Sequence, residues 1–86
     1  MKTLFLLMAQ YDGRTVIPAA KVCDDFFSHL TLPKFLRKVQ DGEIQLPLMR
    51  MEGSQKSARG VHIEDLATYL ETRRAAAKRE MQQMAG

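Results

Sequence analysis

Two neighbouring segments of the chain carry apolar residues at helical spacing, separated by a short polar connection. In the first segment these residues are Ala19, Val22, Cys23, Phe26 and Phe27. In the second they are Leu32, Phe35, Leu36 and Val39. Intervals of three and four place such residues on one face of an amphipathic helix. The pattern predicts one helix opened by Pro18, which suits a first helical turn. It predicts a second helix that starts at Thr31 or Leu32, has Pro33 in its first turn and is ended by Gly42.

The N-terminal part of the chain carries a short apolar run at residues 4–9, rich in residues that favour helix. We predict a short buried helix here, although a run of this length also suits a strand. Asp12 and Gly13 form a turn signal. The β-branched residues at 15–17 favour a brief extended segment after that turn.

A strand-like pattern follows the second helix. The apolar stretch at 44–51 fits an edge strand, whereas residues 52–60 are polar and cannot hold a core. After them, Val61, His62 and Ile63 alternate as in a half-buried strand. Strand, polar tip and strand together predict a β-hairpin with residues 52–60 as its tip.

A final helix is predicted after the hairpin. Glu64 and Asp65 open it, at the end where the helix dipole favours negative charge. Its apolar face contains Leu66, Ala67, Leu70, Ala77, Met81 and Met84. The pair Arg73 and Arg74 interrupts this face, so we predict a domain over residues 1–74 and a C-terminal helical extension over 75–86.

This order of elements predicts a mainly α fold: a winged helix-turn-helix with a small β-hairpin wing and a C-terminal helix. The chain of 86 residues is long enough for one such domain. The C-terminal helix has four open interpretations. Residues 73–79 contact DNA, or the Met-rich end binds RNA polymerase, or one of two further interpretations of the extension holds. It forms a dimer seam, or it is a solvated end.

Charge is distributed unevenly along the chain. The formal net charge is +3, and the whole excess lies in residues 31–60. The basic residues of that segment are Lys34, Arg37, Lys38, Arg50, Lys56 and Arg59. A localised basic excess suits a surface that faces a polyanion such as nucleic acid.

The basic residues also distinguish the two neighbouring helices. The outer face of the first helix carries Asp24 and Asp25, which DNA phosphates would repel. The second helix presents Lys34, Arg37 and Lys38, so we predict that residues 33–41 enter the major groove. Of these cations, Arg37 is expected to contact a base, because its planar fork can donate two bonds to guanine. The hairpin residues expected on flanking DNA are Gln55, Lys56, Ser57 and Arg59. The alternative is a plain solvated face.

Other chemistry finds little support in the sequence. Cys23, His29 and His62 lack the spacing of a nucleophile–base pair or of a zinc site. We expect a buried structural thiol at Cys23, an exposed strand residue at His62, no enzyme activity, no cofactor and no metal. The chain has neither a signal peptide pattern nor an apolar run that could span a membrane, so a cytoplasmic protein is expected.

Several short motifs resemble those of the pyocin activator (PrtN) family. They are the opening Met1 to Gly13, Val16-Ile17-Pro18, Val22-Cys23, Arg37-Lys38, Gly42-Glu43-Ile44, Leu46-Pro47 and Ser54-Gln55-Lys56. The resemblance covers residues 1–74 and implies a transcriptional activator of prophage-like elements. It implies binding to promoter boxes upstream of bacteriocin or phage structural genes.

A broader likeness to excisionase and MerR-type winged domains rests on the pairs Gly42-Glu43, Leu46-Pro47 and Asp65-Leu66. The hairpin tip is longer than in short-winged excisionases. We therefore predict a sequence-specific DNA-binding activator whose partner is double-stranded DNA. RNA polymerase, and a second copy of the chain through the C-terminal helix, stay open as further partners. The alternatives are an excisionase-like factor that bends DNA, and a phage adaptor that binds a host protein and no DNA.

Overall fold

The computed structural model describes residues 2–54 and 58–85, which form a small, mainly helical domain with a three-stranded antiparallel sheet. The helices in these ranges are α1 Lys2–Gln10, α2 Ala19–Phe26, α3 Leu32–Gln40 and the long α4 Ile63–Ala85. The strands are β1 Val16–Pro18, β2 Met49–Arg50 and β3 Arg59–His62. The two predicted amphipathic helices and the long closing helix are thereby confirmed.

The apolar faces of α2 and α3 meet in the core. Val22 and Phe35 have no exposed surface, and the Phe35 ring centroid lies 4.8 Å from that of Phe27, just after α2. Phe27 also approaches Tyr69 of α4, at 5.9 Å between ring centroids. Phe27 therefore contacts α3 through one ring pair and α4 through the other.

The ends of α3 follow from local chemistry. The Thr31 side chain accepts a hydrogen bond from the Lys34 amide at 3.4 Å and so caps the first turn. At the other end Gly42 has φ 79°, the left-handed conformation predicted for it. The helix begins at Leu32, one of the two predicted starts, because Thr31 supplies the cap.

Pro18 has a different place from the one predicted. It is the last residue of β1 and the N-cap of α2, whose first residue is Ala19. Pro18 is paired with Gly60, next to the Ile17–Val61 pair of the β1–β3 ladder. The Ile63 amide donates to the Thr15 carbonyl at 2.8 Å, so alternation makes Pro18–Gly60 a pair without ladder hydrogen bonds. A residue without an N–H is tolerated there.

The predicted hairpin is present, and β3 also pairs with β1. The sheet has the order β1-β3-β2, with Met49 opposite Gly60 in the hairpin. The predicted strand over 44–51 is too long, because β2 contains only Met49 and Arg50. Before it, Ile44 and Leu46 are buried, and the Leu46 amide donates to the Ile44 carbonyl in a tight turn.

The prediction of a buried N-terminal helix is only partly right. Among the residues of α1, Leu7 is buried, whereas Phe5 and Leu6 are 69% and 70% exposed. A helix that is apolar all round can bury only the side that meets a neighbour. Here that neighbour is α4, and a hydrogen bond from the Thr3 hydroxyl to Glu71 joins the two helices.

Tyr11, just after α1, is buried and donates a hydrogen bond to Asp25 of α2 at 2.6 Å. Burial, followed by the hydrogen bond and the negative charge of Asp25, raises the pKa of Tyr11 above its ordinary 10.0. The folded protein therefore keeps this proton at a pH where the unfolded chain loses it. The stability that this difference provides is complete below about pH 10 and is lost as the pH rises further.

Replacing Tyr11 with phenylalanine is expected to lower the free energy of unfolding by about 1 kcal/mol at neutral pH, because one hydrogen bond is lost. Above pH 10 the wild type should lose stability more steeply than Tyr11→Phe, since the variant has no proton to lose at this position. Urea unfolding at pH 7 and above pH 10 measures both effects. Tyr69→Phe is the control, and an equal response of the two variants would contradict the prediction.

The long helix α4 continues without interruption across residues 74 and 75. Leu66 and Ala67 are buried near its start, whereas Met81 and Met84 are 64% and 89% exposed. Residues 77–85 are exposed throughout. The same apolar face therefore serves the core at one end of the helix and lies in solvent at the other.

Candidate nucleic-acid interface

The outer face of α3 carries exposed cations. Lys34 and Arg37 are exposed, and both lie away from the middle of the apolar face formed by Phe35, Leu36 and Val39. Because side chains three and four positions apart share a helical face, the apolar spacing that buries Phe35 also turns Lys34 and Arg37 outward. These two side chains are free to meet a ligand that approaches α3 from solvent.

Lys38 has a different environment. Its ammonium group lies 3.6 Å from a carboxylate oxygen of Glu43, just beyond the Gly42 turn. Lys38 also lines a cleft of about 840 Å³ on the side of α3 that faces α4, together with Tyr69 and Arg73. The three predicted cations of α3 therefore do not form one equivalent row, since Lys38 is directed to one side and is paired.

A second cleft, of about 670 Å³, lies between α3 and the hairpin. Leu36 and Gln40 line it from α3, and Arg50 and Arg59 line it from β2 and β3. Arg59 was expected to contact flanking DNA, and the structure places it beside α3. Arg50 belongs to the basic segment, but no contact was predicted for it.

The hairpin tip carries the remaining predicted contacts. Gln55, Lys56 and Ser57 lie outside the described residues, so their role stays a prediction. Arg59, which follows the tip at the start of β3, is half-buried.

The acidic outer face of α2 takes part in intramolecular contacts. Asp25 accepts the hydrogen bond of Tyr11 and lies 3.8 Å from the ammonium group of Lys21. Asp24 is exposed on the same helix. A phosphate backbone close to α2 would meet these two carboxylates, whereas one close to α3 meets Lys34 and Arg37.

With this geometry described, comparison with known proteins gives one finding. A model of the family described as pyocin activator protein PrtN matches residues 3–77. The chain belongs to this family. The PrtN family consists of transcriptional activators rather than enzymes, which implies activation of pyocin genes. No significant match was found among curated proteins or among solved structures.

The buried thiol of this PrtN protein is a structural group, as its position on the apolar face of α2 predicted. Cys23 is 2% exposed, and its S–H lies 3.8 Å from the Phe27 carbonyl and 3.6 Å from that of Leu30. Burial, and then the negative charge of Asp24, raises the pKa of Cys23. A raised pKa keeps sulfur in the less reactive thiol form.

His62 was predicted to be an exposed strand residue, but in this PrtN-family chain it is half-buried at the end of β3. The Nδ1 atom of His62 accepts a hydrogen bond from the Glu64 amide at 3.1 Å, which ties the half-buried His62 to the start of α4. In residues 2–54 and 58–85, no three metal-ligating side chains come together. No helix in the same part of the chain is long and apolar enough to cross a membrane.

Proposed function

We propose that this PrtN-family protein is a winged helix-turn-helix activator that binds duplex DNA at promoters of prophage-like or bacteriocin genes. In this proposal α2 and α3 form the helix-turn-helix, and α3 enters the major groove. The hairpin of β2 and β3, with residues 52–60, is the wing on flanking DNA. Residues 1–74 are the domain and 75–86 its extension.

The observation that carries the proposal is the exposed basic face of α3 beside the hairpin. A helix with its side chains is about 10–12 Å across, and the major groove is about 12 Å wide. Phe35 anchors the inner side of α3, while Lys34 and Arg37 point to solvent. Arg59 lines the cleft next to the same helix, so cations of both elements lie on adjoining surfaces.

Arg37 is proposed to contact a base, and Lys34 a base or a phosphate. Replacing Arg37 with alanine is expected to reduce discrimination between the chosen site and random DNA by about 1–3 kcal/mol, roughly 5- to 150-fold. The loss should be confined to specific binding, because the contact that is removed is to a base and not to a phosphate. The measurement is selection of bound fragments from random DNA, followed by titration of the selected site and of a scrambled duplex.

Arg14→Ala is the matched control, since Arg14 is an exposed cation in the turn after α1. It should leave the ratio of specific to non-specific affinity unchanged. Unaltered discrimination in Arg37→Ala would reject the proposed role of Arg37. Absence of any binding to DNA at low salt, together with a stable complex with a host protein, would favour an adaptor instead.

The selected site also allows the oligomeric state and the activating role to be tested. Two-fold symmetry of the site would indicate that a dimer binds it. Residues 75–86 would then be the first candidate for the dimer interface. A promoter-reporter assay beside a DNA-bending assay separates the activator from an excisionase-like architectural factor. A strong bend without activation would contradict the proposal.

A further inference from the structure

Arg50 and Arg59 stand directly opposite each other in the antiparallel hairpin. The Met51 amide donates to the Ala58 carbonyl at 3.3 Å in the neighbouring pair. Because hydrogen-bonded and non-hydrogen-bonded pairs alternate, Arg50 and Arg59 occupy a non-hydrogen-bonded pair, where facing side chains come closest. Like charges at such positions destabilise the sheet. An anion bound between the two guanidinium groups would remove this repulsion.

In the described ranges, the two arginines face a cleft whose other lining residues carry no charge. Neither forms an ion pair with another residue in the described ranges. Both lie at the edge of the cleft between α3 and the hairpin, where Gln40 and Gln45 add amide groups. The apolar residues that line the same cleft are Leu36, Val39, Ile44, Leu46, Pro47 and Leu48. Positive charge, amide donors and an apolar floor therefore meet in one groove.

We propose that this cleft holds one strand of the DNA sugar–phosphate backbone, with a phosphate bound by Arg50 and Arg59 together. The deoxyribose next to that phosphate lies over the apolar floor. The inference rests on the proposed function and adds to it a contact that carries no base information. It also assigns a role to Arg50 and to the amide of Gln40.

The geometry of a duplex gives a second reason. When α3 occupies the major groove and the hairpin reaches the neighbouring groove, the strand that separates the two grooves has to pass between these elements. The cleft of about 670 Å³ lies at that position. Two guanidinium groups on one phosphate give charge-assisted, bidentate hydrogen bonds and remove the repulsion between the arginines.

The test compares wild type with Arg50→Gln, Arg59→Gln and the double variant, using the selected duplex and a scrambled one at several salt concentrations. The double variant is expected to bind both duplexes more weakly, and its slope of log affinity against log salt should fall by about 0.9, the value for one phosphate. The two single losses should sum to more than the loss in the double variant, since both side chains hold the same phosphate.

A second readout is the stability of the free protein. Either single substitution removes the cross-strand repulsion, so the midpoint of thermal unfolding should rise by about 2 °C without DNA. Arg14→Gln, which removes a cation elsewhere, should change neither this midpoint nor the salt slope. A fall of the midpoint in both single variants would show that the pair stabilises the sheet and would contradict the proposal.

Inorganic phosphate alone provides the third arm. It should stabilise the wild type weakly and the double variant not at all, whereas a duplex should stabilise the wild type strongly. An equal response to phosphate and duplex would assign the cleft to a small anion and overturn the inference. An unchanged salt slope in the double variant, with Arg37→Ala still losing discrimination, would also overturn it and leave the proposed function standing. A wild type that binds no duplex would refute both.

Discussion

Replacing Phe35 with alanine is expected to lower the free energy of unfolding by about 3–5 kcal/mol. Phe35 is completely buried, and its ring centroid is 4.8 Å from that of Phe27. The truncation removes apolar contact and leaves a cavity where α2 and α3 meet. Small domains have free energies of unfolding of about 5–15 kcal/mol, so this single change removes a large fraction of the total stability.

The loss should be measured by urea unfolding and compared with that in Leu32→Ala. Leu32 lies on the same helix but is 37% exposed, so its truncation should cost clearly less. Because Phe35 fixes the orientation of α3, Phe35→Ala should also weaken binding to the selected duplex at temperatures where it remains folded. Equal stability losses in the two variants would show that α3 is not anchored through this ring.

Replacing Gly60 with valine is expected to cost about 3 kcal/mol, at the upper end of the usual range for overpacking. A Cβ atom at Gly60 would lie 2.5 Å from Cγ1 of Val16 and 3.2 Å from the carbonyl oxygen of Ile17. Val16 is β-branched and stiff, and the carbonyl belongs to the backbone, so neither can move aside easily. The substitution should therefore force β1 away from β3.

Gly53→Val is the control for this prediction, because a Cβ atom at Gly53 would meet no atom of the described residues within 4 Å. Thermal unfolding of the two variants gives the comparison. Since Gly60 lies in the strand that carries Arg59, Gly60→Val should also reduce DNA affinity. A Gly60→Val protein as stable as Gly53→Val would show that β1 and β3 are packed less closely than in the structure.

Local patterns were sufficient to predict the helices and the hairpin. The spacing of three and four that defines α2 and α3 depends on neighbouring residues, and so does the glycine that ends α3. The pairing of β1 with β3 could not be predicted in this way. It joins Val16 to His62 across a long stretch of chain, and residues 15–17 carry no sign of their partner.

In the candidate site too, local patterns predict some residues, whereas others depend on contacts between distant parts of the chain. Lys34 and Arg37 follow directly from the helical period, since the positions opposite the apolar face must be exposed. The pairing of Arg50 with Arg59 could not be predicted, because it depends on the register of the hairpin. The Lys38–Glu43 ion pair depends on how the Gly42 turn redirects the chain, which the spacing of charges along the sequence does not reveal.

The middle strand of the sheet runs straight into the long helix, because β3 ends at His62 and α4 begins at Ile63. With no hinge at this junction, the tilt of the hairpin and the direction of α4 are set together. In the proposed complex, a duplex bound to the hairpin would therefore also set the direction of the last 11 residues of the helix, which extend for about 16 Å. A protein that binds these residues would therefore change the orientation of the hairpin, and with it the affinity for DNA.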